Sequence, residues 1–159
     1  MSKGTLTFFC GKMGAGKSTR AKQMAADSHA VLLSEDEWLA ALYPGQIASL
    51  ADYVRMSGRL KGQVTTLVQS MLLAGVDVIL DFPANTRAQR QWFRDIFTEV
   101  GAEHRLVYLE QTDDICLQRI RKRRRTEPGR EQTDTPDMFA QVSHYFEPPG
   151  AEEGFNIAR

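Results

Sequence analysis

The sequence has few cysteines and no excess of charge. Two of its 159 residues are cysteines, Cys10 and Cys116, and no C-x-x-C pattern occurs. A disulfide framework and a cysteine-rich zinc site are therefore excluded, and we expect two buried free thiols in a reducing compartment. Twenty Lys+Arg residues balance twenty Asp+Glu. Bulk charge therefore cannot hold nucleic acid or a membrane surface, although a local basic patch still can.

Long apolar runs are also missing. No stretch approaches the ~18 apolar residues that cross a bilayer, and the N-terminus lacks the apolar core and cleavage site of a signal peptide. We therefore expect a cytoplasmic protein with no membrane partner. The chain is long enough to bury a core of its own, and no repeat or linker divides it. The sequence thus predicts a single domain over residues 1–159.

Strand and helix patterns alternate along the chain. Short apolar runs at 5–10, 31–33, 76–81 and 105–109 indicate buried strands, with a possible last strand at 155–157. Helical periodicity marks 18–27, 52–74 and 86–100, and further helices begin at Ser34, Thr112 and Thr135. This alternation predicts an α/β fold in three layers, a parallel sheet of about five strands with helices on both faces.

The most specific motif follows the first predicted strand. Gly11-Lys12-Met13-Gly14-Ala15-Gly16-Lys17-Ser18 fits G-x-x-x-x-G-K-[ST] and opens a helix. Glycines let successive N–H groups point at phosphate oxygens, and the helix N-terminus adds its dipole. The spacing is not that of a dinucleotide fingerprint. We therefore predict a P-loop NTPase fold that binds ATP through Gly11, Lys12, Met13, Gly14, Ala15, Gly16, Lys17, Ser18 and Thr19.

Two further residues suit a metal-assisted reaction on that triphosphate. Asp81 ends an apolar strand, where a carboxylate can hold Mg²⁺. The Ser18 hydroxyl is the second predicted Mg²⁺ ligand. Lys17 is expected to reach the β and γ phosphate oxygens and to assist catalysis. The cofactors predicted from the sequence are therefore ATP and Mg²⁺.

An acceptor-activating base and a cationic cover are the remaining parts of a small kinase. Asp36 follows the second strand, so it should face the same crevice as Asp81 and act as general base. Its neighbours Glu35 and Glu37 are expected only to stabilise the start of their helix. Seven basic residues lie between Arg119 and Arg130. This run could form a nucleic-acid patch, a solvated helix face, or a lid that closes on the phosphates.

We favour a small helical lid over about residues 119–135. Arg119 and Arg123 are one helical turn apart and are predicted to stabilise the transferring phosphoryl group. Arg121, Lys122, Arg124 and Arg125 are expected to face solvent. Residues 45–62 would form the acceptor wall, with stacking or anion contacts from Trp38, Tyr53, Arg55 and Arg59, unless they are ordinary helix surface.

The order of motifs resembles the P-loop kinases grouped with polynucleotide 5′-kinase, zeta toxin and chloramphenicol phosphotransferase. The resemblance covers residues 5 to about 148. Leu33-Ser34-Glu35-Asp36-Glu37-Trp38 is similar to the family segment that carries the general-base aspartate, which implies that role for Asp36. Leu80-Asp81 and the following Asn85-Thr86-Arg87-Ala88-Gln89-Arg90 are similar to the family's strand-end aspartate and helix start. The resemblance also implies that Arg119 and Arg123 are lid arginines.

These features together predict an ATP-dependent phosphotransferase acting on a hydroxyl group of a small molecule. Two alternatives remain open on the sequence. The first is a kinase for the 5′-hydroxyl of a polynucleotide or nucleoside, which would use the basic segment after residue 119. The second is a module that binds ATP without catalysis and regulates a partner. The sequence specifies neither the acceptor nor the oligomeric state.

Overall fold

A five-stranded parallel sheet forms the centre of the molecule in the computed structural model, which describes residues 2–127, 130 and 133–159. Its strands are β1 (Thr5–Cys10), β2 (Val31–Ser34), β3 (Val78–Pro83), β4 (Glu103–Tyr108) and β5 (Ile157–Ala158). They lie in the order β2-β3-β1-β4-β5, and every neighbouring pair is parallel. The predicted α/β fold with about five parallel strands is confirmed.

Six α-helices in the described part of the chain connect or follow these strands. They are α1 (Lys17–Ala26), α2 (Glu35–Leu42), α3 (Leu50–Leu73), α4 (Arg87–Val100), α5 (Asp113–Thr126) and α6 (Pro136–His144). α3 is continuous through Gly58 and Gly62, although glycines inside a helix can indicate a break or a close backbone approach. A Cβ atom at either glycine would have no described atom within 4 Å. These two glycines therefore mark neither a break in α3 nor a close backbone approach to it.

The helices cover both faces of the sheet, as predicted. On one face α3 and α4 bury Val64, Val68, Phe93 and Ile96 in a cluster that contains Phe8. The Phe8 and Phe93 rings stack with centroids 4.4 Å apart. On the other face α1 packs Ala21 with Phe9, Ile79 and Val107. Alternate side chains of β1 thus enter different cores, which is the burial pattern of a strand covered on both sides.

The sheet register brings the polar ends of its strands together. Ser34 of β2 lies beside Asp81 of β3. Between β1 and β3 the register shifts after Phe8, so the pairing passes from Leu80 directly to Pro83. β3 extends two residues beyond Asp81, further than the predicted end of this strand. Because the strands are parallel, the loop after β1 begins at this same edge.

A buried ion pair connects the C-terminal segment to the helix that follows β3. The Arg90 guanidinium is fully buried and contacts the Glu153 carboxylate at 2.8 and 3.2 Å. Arg90 also donates to the Ala84 carbonyl oxygen at 2.9 Å. The segment then continues into β5, which pairs with β4.

Both cysteines are buried free thiols, as the sequence predicts. Burial raises the pKa of Cys10 to about 11, so this thiol is held neutral. Within the described residues, no helix combines the length and the apolar character that crossing a membrane requires.

Candidate active site

The loop between β1 and α1 requires glycine at two positions. Gly14 and Gly16 have φ values of 78° and 102°, a region that favours glycine. A Cβ atom on Gly14 would lie 2.5 Å from the Cys116 carbonyl oxygen. The loop therefore curls tightly against the start of α5, as a phosphate-binding loop must in order to turn its N–H groups inward. We call residues Gly11–Ser18 the P-loop.

The helix that follows the P-loop differs from the others at its N-terminus. The other five α-helices each have a Ser or Thr side chain that accepts a hydrogen bond from a first-turn N–H group. In α1 the N-cap residue is Gly16, and no side chain caps it. The first N–H groups of α1 thus remain for an external acceptor, and the helix dipole favours an anion there.

Lys17 lies in the curl of the P-loop. Its ammonium group donates to the Gly11 carbonyl oxygen, and the Lys12 carbonyl oxygen is 3.5 Å away. Burial lowers the pKa of Lys17, while the nearby Asp81 carboxylate opposes this effect. A partly desolvated ammonium group interacts more strongly with phosphate than an exposed one does.

Ser18 and Asp81 lie side by side. The Ser18 hydroxyl donates to Asp81 Oδ2 over 2.7 Å. Burial raises the pKa of Asp81, and the Ser18 hydrogen bond acts in the opposite direction. One hydroxyl and one carboxylate are the oxygen donors that suit Mg²⁺ when phosphate oxygens complete its coordination. The residue pair predicted from the sequence to hold Mg²⁺ therefore fits that ion in both chemistry and position.

One cleft of about 1710 Å³ joins these groups to the predicted catalytic residues. Lys17, Ser18, Asp36, Asp81 and both predicted arginines line it. A smaller adjoining pocket of about 140 Å³ is lined by both Ser18 and Asp36. The structure thus brings the predicted metal ligands and the predicted base to one place, although they are 18 and 45 residues apart in sequence.

Asp36 is accessible in the cleft, with half of its side chain exposed. Arg130 Nη1 lies 3.4 Å from Asp36 Oδ2. The same guanidinium lies 3.0 Å from Glu127 through Nε. Arg130 is therefore a further arginine in the cleft, next to the predicted base, and the sequence did not single it out.

The two predicted lid arginines have different surroundings. Arg119 is exposed and its Nη1 donates to the Gly14 carbonyl oxygen over 3.3 Å, so it reaches the P-loop directly. Arg123 makes a two-point contact with the buried Asp134 carboxylate, at 2.6 and 2.8 Å. The pairing holds Arg123 at the cleft with one amino group uncommitted to Asp134. Arg121, Lys122, Arg124 and Arg125 are exposed, as expected.

The predicted lid extends over residues 119–135, and residues 128, 129, 131 and 132 of it lie outside the described residues. α5 supplies its first part and ends at Thr126. Thr135 caps α6, as the sequence predicts.

Comparison with known families agrees with this geometry. A family model described as an AAA domain, AAA_33, matches residues 6–149. The chain belongs to this AAA domain family. Among curated proteins, none matches the sequence at a significant level. The narrower resemblance to polynucleotide kinase, zeta toxin and chloramphenicol phosphotransferase stays a prediction.

Solved structures similar to this AAA domain include three described as kinases. A proposed kinase from Chloroflexus aurantiacus j-10-fl has a TM-score of 0.76 at 18% identity, over 98% of this chain and 86% of that one. The APS kinase CysC of Mycobacterium tuberculosis, solved with AMPPNP and APS, has a TM-score of 0.60 at 19% identity, over 94% and 85%. A gluconokinase from Sinorhizobium meliloti 1021 has a TM-score of 0.60 at 14% identity, over 98% and 81%. At these identities the likeness establishes the shared P-loop NTPase fold.

The structure of the AAA domain corrects the expectation for Glu35. This residue was expected only to stabilise the start of α2, but it is buried, with 2% of its surface exposed. Tyr53 donates to one carboxylate oxygen at 2.5 Å and Ser57 to the other at 2.7 Å. Burial raises the pKa of Glu35 to about 7, and the two hydrogen bonds only partly oppose this rise. Glu35 therefore connects α2, which carries Asp36, to α3.

Asn85 is a second residue whose contact the sequence did not specify. Its side-chain oxygen accepts from the Gly11 N–H group at 2.9 Å in a buried position. The residue lies just before Thr86, whose side chain forms a capping box with Gln89 at the start of α4. Asn85 thus fixes the first residue of the P-loop to the end of β3.

The predicted acceptor wall is only partly in place. Tyr53 lines the cleft, whereas Trp38, Arg55 and Arg59 are not among its described lining residues. Arg55 instead lies 3.4 Å from the Asp52 carboxylate on the outside of α3. The expected anion contacts from α3 therefore do not reach the site.

Proposed function

We propose that the protein is a phosphotransferase that moves the γ-phosphoryl group of ATP to a hydroxyl group. The observation that carries this proposal is the cleft in which Lys17, the Ser18–Asp81 pair and Asp36 meet. The P-loop has the turn, the lysine and the uncapped helix N-terminus that a triphosphate needs. Membership of the AAA domain family and the kinase-like neighbours support it.

Each group in the cleft has a separate role in the proposed reaction. P-loop N–H groups and Lys17 orient the phosphates, and Arg119 lies close enough to the P-loop to contact the γ-phosphoryl group. Asp36 accepts the proton of the acceptor hydroxyl. Mg²⁺ held by Ser18 and Asp81 would offset charge on the phosphate oxygens.

In this step the acceptor oxygen forms a bond to the γ-phosphorus. The bond from that phosphorus to the β–γ bridging oxygen breaks, and ADP leaves with the bond's electron pair. The acceptor proton passes to Asp36. Arg130 contacts Asp36 through Oδ2, so the other carboxylate oxygen, Oδ1, can take the proton.

Replacing the base tests the proposal. Asp36→Asn should lower phosphoryl transfer by about 10²–10⁴-fold, the usual contribution of general-base catalysis. ATP binding should persist, because Asp36 is not part of the P-loop. The measurement is transfer from γ-labelled ATP in a screen over hydroxyl metabolites, nucleosides and oligonucleotides, with ATP affinity determined separately by calorimetry.

Two further variants make the result specific. Asp27→Asn neutralises an exposed carboxylate at the end of α1, outside the described lining of the cleft, and should leave transfer near the wild-type rate. Lys17→Ala should lose ATP affinity. Full transfer by Asp36→Asn would contradict its role as base. If the screen finds no acceptor although ATP binds, the protein is the ATP-binding module of the second alternative.

The basic surface of α5 is the reason for including oligonucleotides among the acceptors in the screen. Arg121, Lys122, Arg124 and Arg125 are exposed on this helix. A polynucleotide 5′-hydroxyl kinase would use such a surface, and its binding to oligonucleotides would fall steeply with added salt. Binding independent of salt would exclude this alternative.

A further inference from the structure

The charged side chains that line the cleft come from only some of its described elements. Charged groups come from the P-loop and α1, the first turn of α2, Asp81, α5 and the segment after α5. The described lining residues from 39–54, 83–89 and 136–145 carry no charge. We call the part formed by α2 and α3 the apolar half; it is lined by Leu39, Tyr43, Ile47, Leu50, Tyr53 and Val54.

The apolar half begins next to the proposed base. Leu39 follows Asp36 by three positions and lies on the same side of α2, and Tyr43 is the C-cap residue that ends this helix. A molecule whose hydroxyl group contacts Asp36 would therefore extend along Leu39 and Tyr43. The phosphate-binding groups lie in the other part of the cleft, so the apolar half is the place left for the acceptor's body.

Two side chains that line the cleft present unusual apolar surface. Val54 in the apolar half is 61% exposed, and Tyr145, the residue that ends α6, is 60% exposed. Single exposed apolar residues are common. Here they lie in a concave cleft beside a reactive carboxylate, where a bound ligand would remove them from water.

The same half is unsuited to an anionic acceptor. The cationic side chains that line the cleft, among the residues described, are on the P-loop, α1, α5 and Arg130. Arg55 and Arg59 of α3 do not line it. A phosphate or carboxylate on the acceptor body would lose its hydration there without gaining a cation.

From this segregation we infer that the acceptor is an uncharged hydroxyl compound with an apolar body, held in the apolar half with its hydroxyl group at Asp36. The inference rests on the proposed phosphotransferase function and names its substrate class. The transfer step is the one given above, with the alcohol oxygen bonded to the γ-phosphorus, ADP released and the proton on Asp36. The product is an alkyl or arylalkyl phosphate ester.

A series of alcohols tests the inference. The probes are the primary alcohols from 1-butanol to 1-octanol and 4-phenyl-1-butanol, assayed with γ-labelled ATP. Each added methylene that enters the apolar half should raise kcat/KM by about three- to fourfold, the effect expected for burying one methylene. Glycerol 3-phosphate and a 5′-hydroxyl oligothymidylate serve as anionic acceptors. A preference for either anion, or no dependence on chain length, would overturn the inference.

Matched variants locate the effect. Val54→Asp puts a charge into the apolar half at an exposed position, so folding should be preserved. It should raise KM for 4-phenyl-1-butanol by about tenfold or more, because the charge would lose hydration beside the ligand. Leu67→Asp changes an exposed residue of the same helix that does not line the cleft and should leave KM unchanged. Equal KM values in the two variants would contradict the assignment.

A binding measurement separates this inference from the proposed function. Ligand-observed NMR with 4-phenyl-1-butanol and AMPPNP needs no catalysis. In one outcome the wild type binds 4-phenyl-1-butanol and Val54→Asp fails to bind it, while no acceptor is phosphorylated. This result would support the apolar half as a binding site and refute the phosphotransferase function. Transfer confined to anionic acceptors would support the phosphotransferase function and refute the inference about the acceptor class. Absence of 4-phenyl-1-butanol binding would overturn the inference whatever the protein's activity.

Discussion

Glu35 should make the stability of the protein depend on pH in the neutral range. Its carboxyl is buried between Tyr53 and Ser57, and its pKa is raised from the usual 4.5 to about 7. Below pH 4.5 the group is protonated in both the folded and the unfolded chain, and its contribution to stability is fully present. As the pH rises toward 7, the unfolded chain ionises first, so that contribution is progressively lost.

The size of the effect follows from the two pKa values. A difference of about 2.5 pH units corresponds to about 3 kcal/mol of unfolding free energy. Glu35→Gln cannot ionise and keeps a group that can hydrogen-bond to the Tyr53 and Ser57 hydroxyls. Between pH 4.5 and pH 7.5 the wild type should therefore lose about 3 kcal/mol more stability than Glu35→Gln does.

Urea unfolding followed by tryptophan fluorescence at a series of pH values measures this difference. Glu37→Gln is the matched control, because Glu37 occupies the same helical turn and is exposed. Its stability curve should run parallel to that of the wild type. If the Glu35→Gln curve also runs parallel to the wild type, the carboxyl is ionised in the folded protein and the reasoning is wrong.

Two more changes test the packing. Gly58→Ala should raise the unfolding free energy by about 1 kcal/mol, because a Cβ atom there meets no described atom within 4 Å and glycine weakens a helix interior; a loss of stability in urea unfolding would show an unseen contact. Glu153→Gln should lower it by roughly 3 kcal/mol, since it leaves the buried Arg90 guanidinium without its counter-charge. Glu152→Gln, which changes an exposed partner of Arg87, should have little effect by the same assay, and equal losses in the two variants would argue against the buried pair.

The fold and the nucleotide half of the site could be predicted from local patterns. The P-loop motif has its flanking strand and helix within a few residues, so sequence spacing determines its geometry. Asp36 follows one predicted strand and Asp81 ends another, and the carboxyl ends of parallel strands meet at one edge of the sheet. Their common location therefore follows from topology without knowledge of any side-chain contact.

The contacts between distant segments could not be predicted in this way. Three acidic residues in succession, Glu35 to Glu37, give no sign of which one is buried. The partners of Glu35 are 18 and 22 residues away on another helix, so only tertiary packing selects it. Arg130 is 94 residues from Asp36, and nothing in the basic segment distinguishes it from its neighbours.

The anchoring of the C-terminal segment has a consequence for how shortened versions of the protein would behave. The Glu153 carboxylate pairs with the Arg90 guanidinium, which donates a hydrogen bond to the Ala84 carbonyl oxygen. The next residue, Asn85, accepts a hydrogen bond from the first N–H group of the P-loop. Deleting residues 150–159 would therefore weaken nucleotide affinity from a distance. Poor ATP affinity in the shortened protein would then result from the loss of this support, since no residue of 150–159 is among the described lining of the cleft.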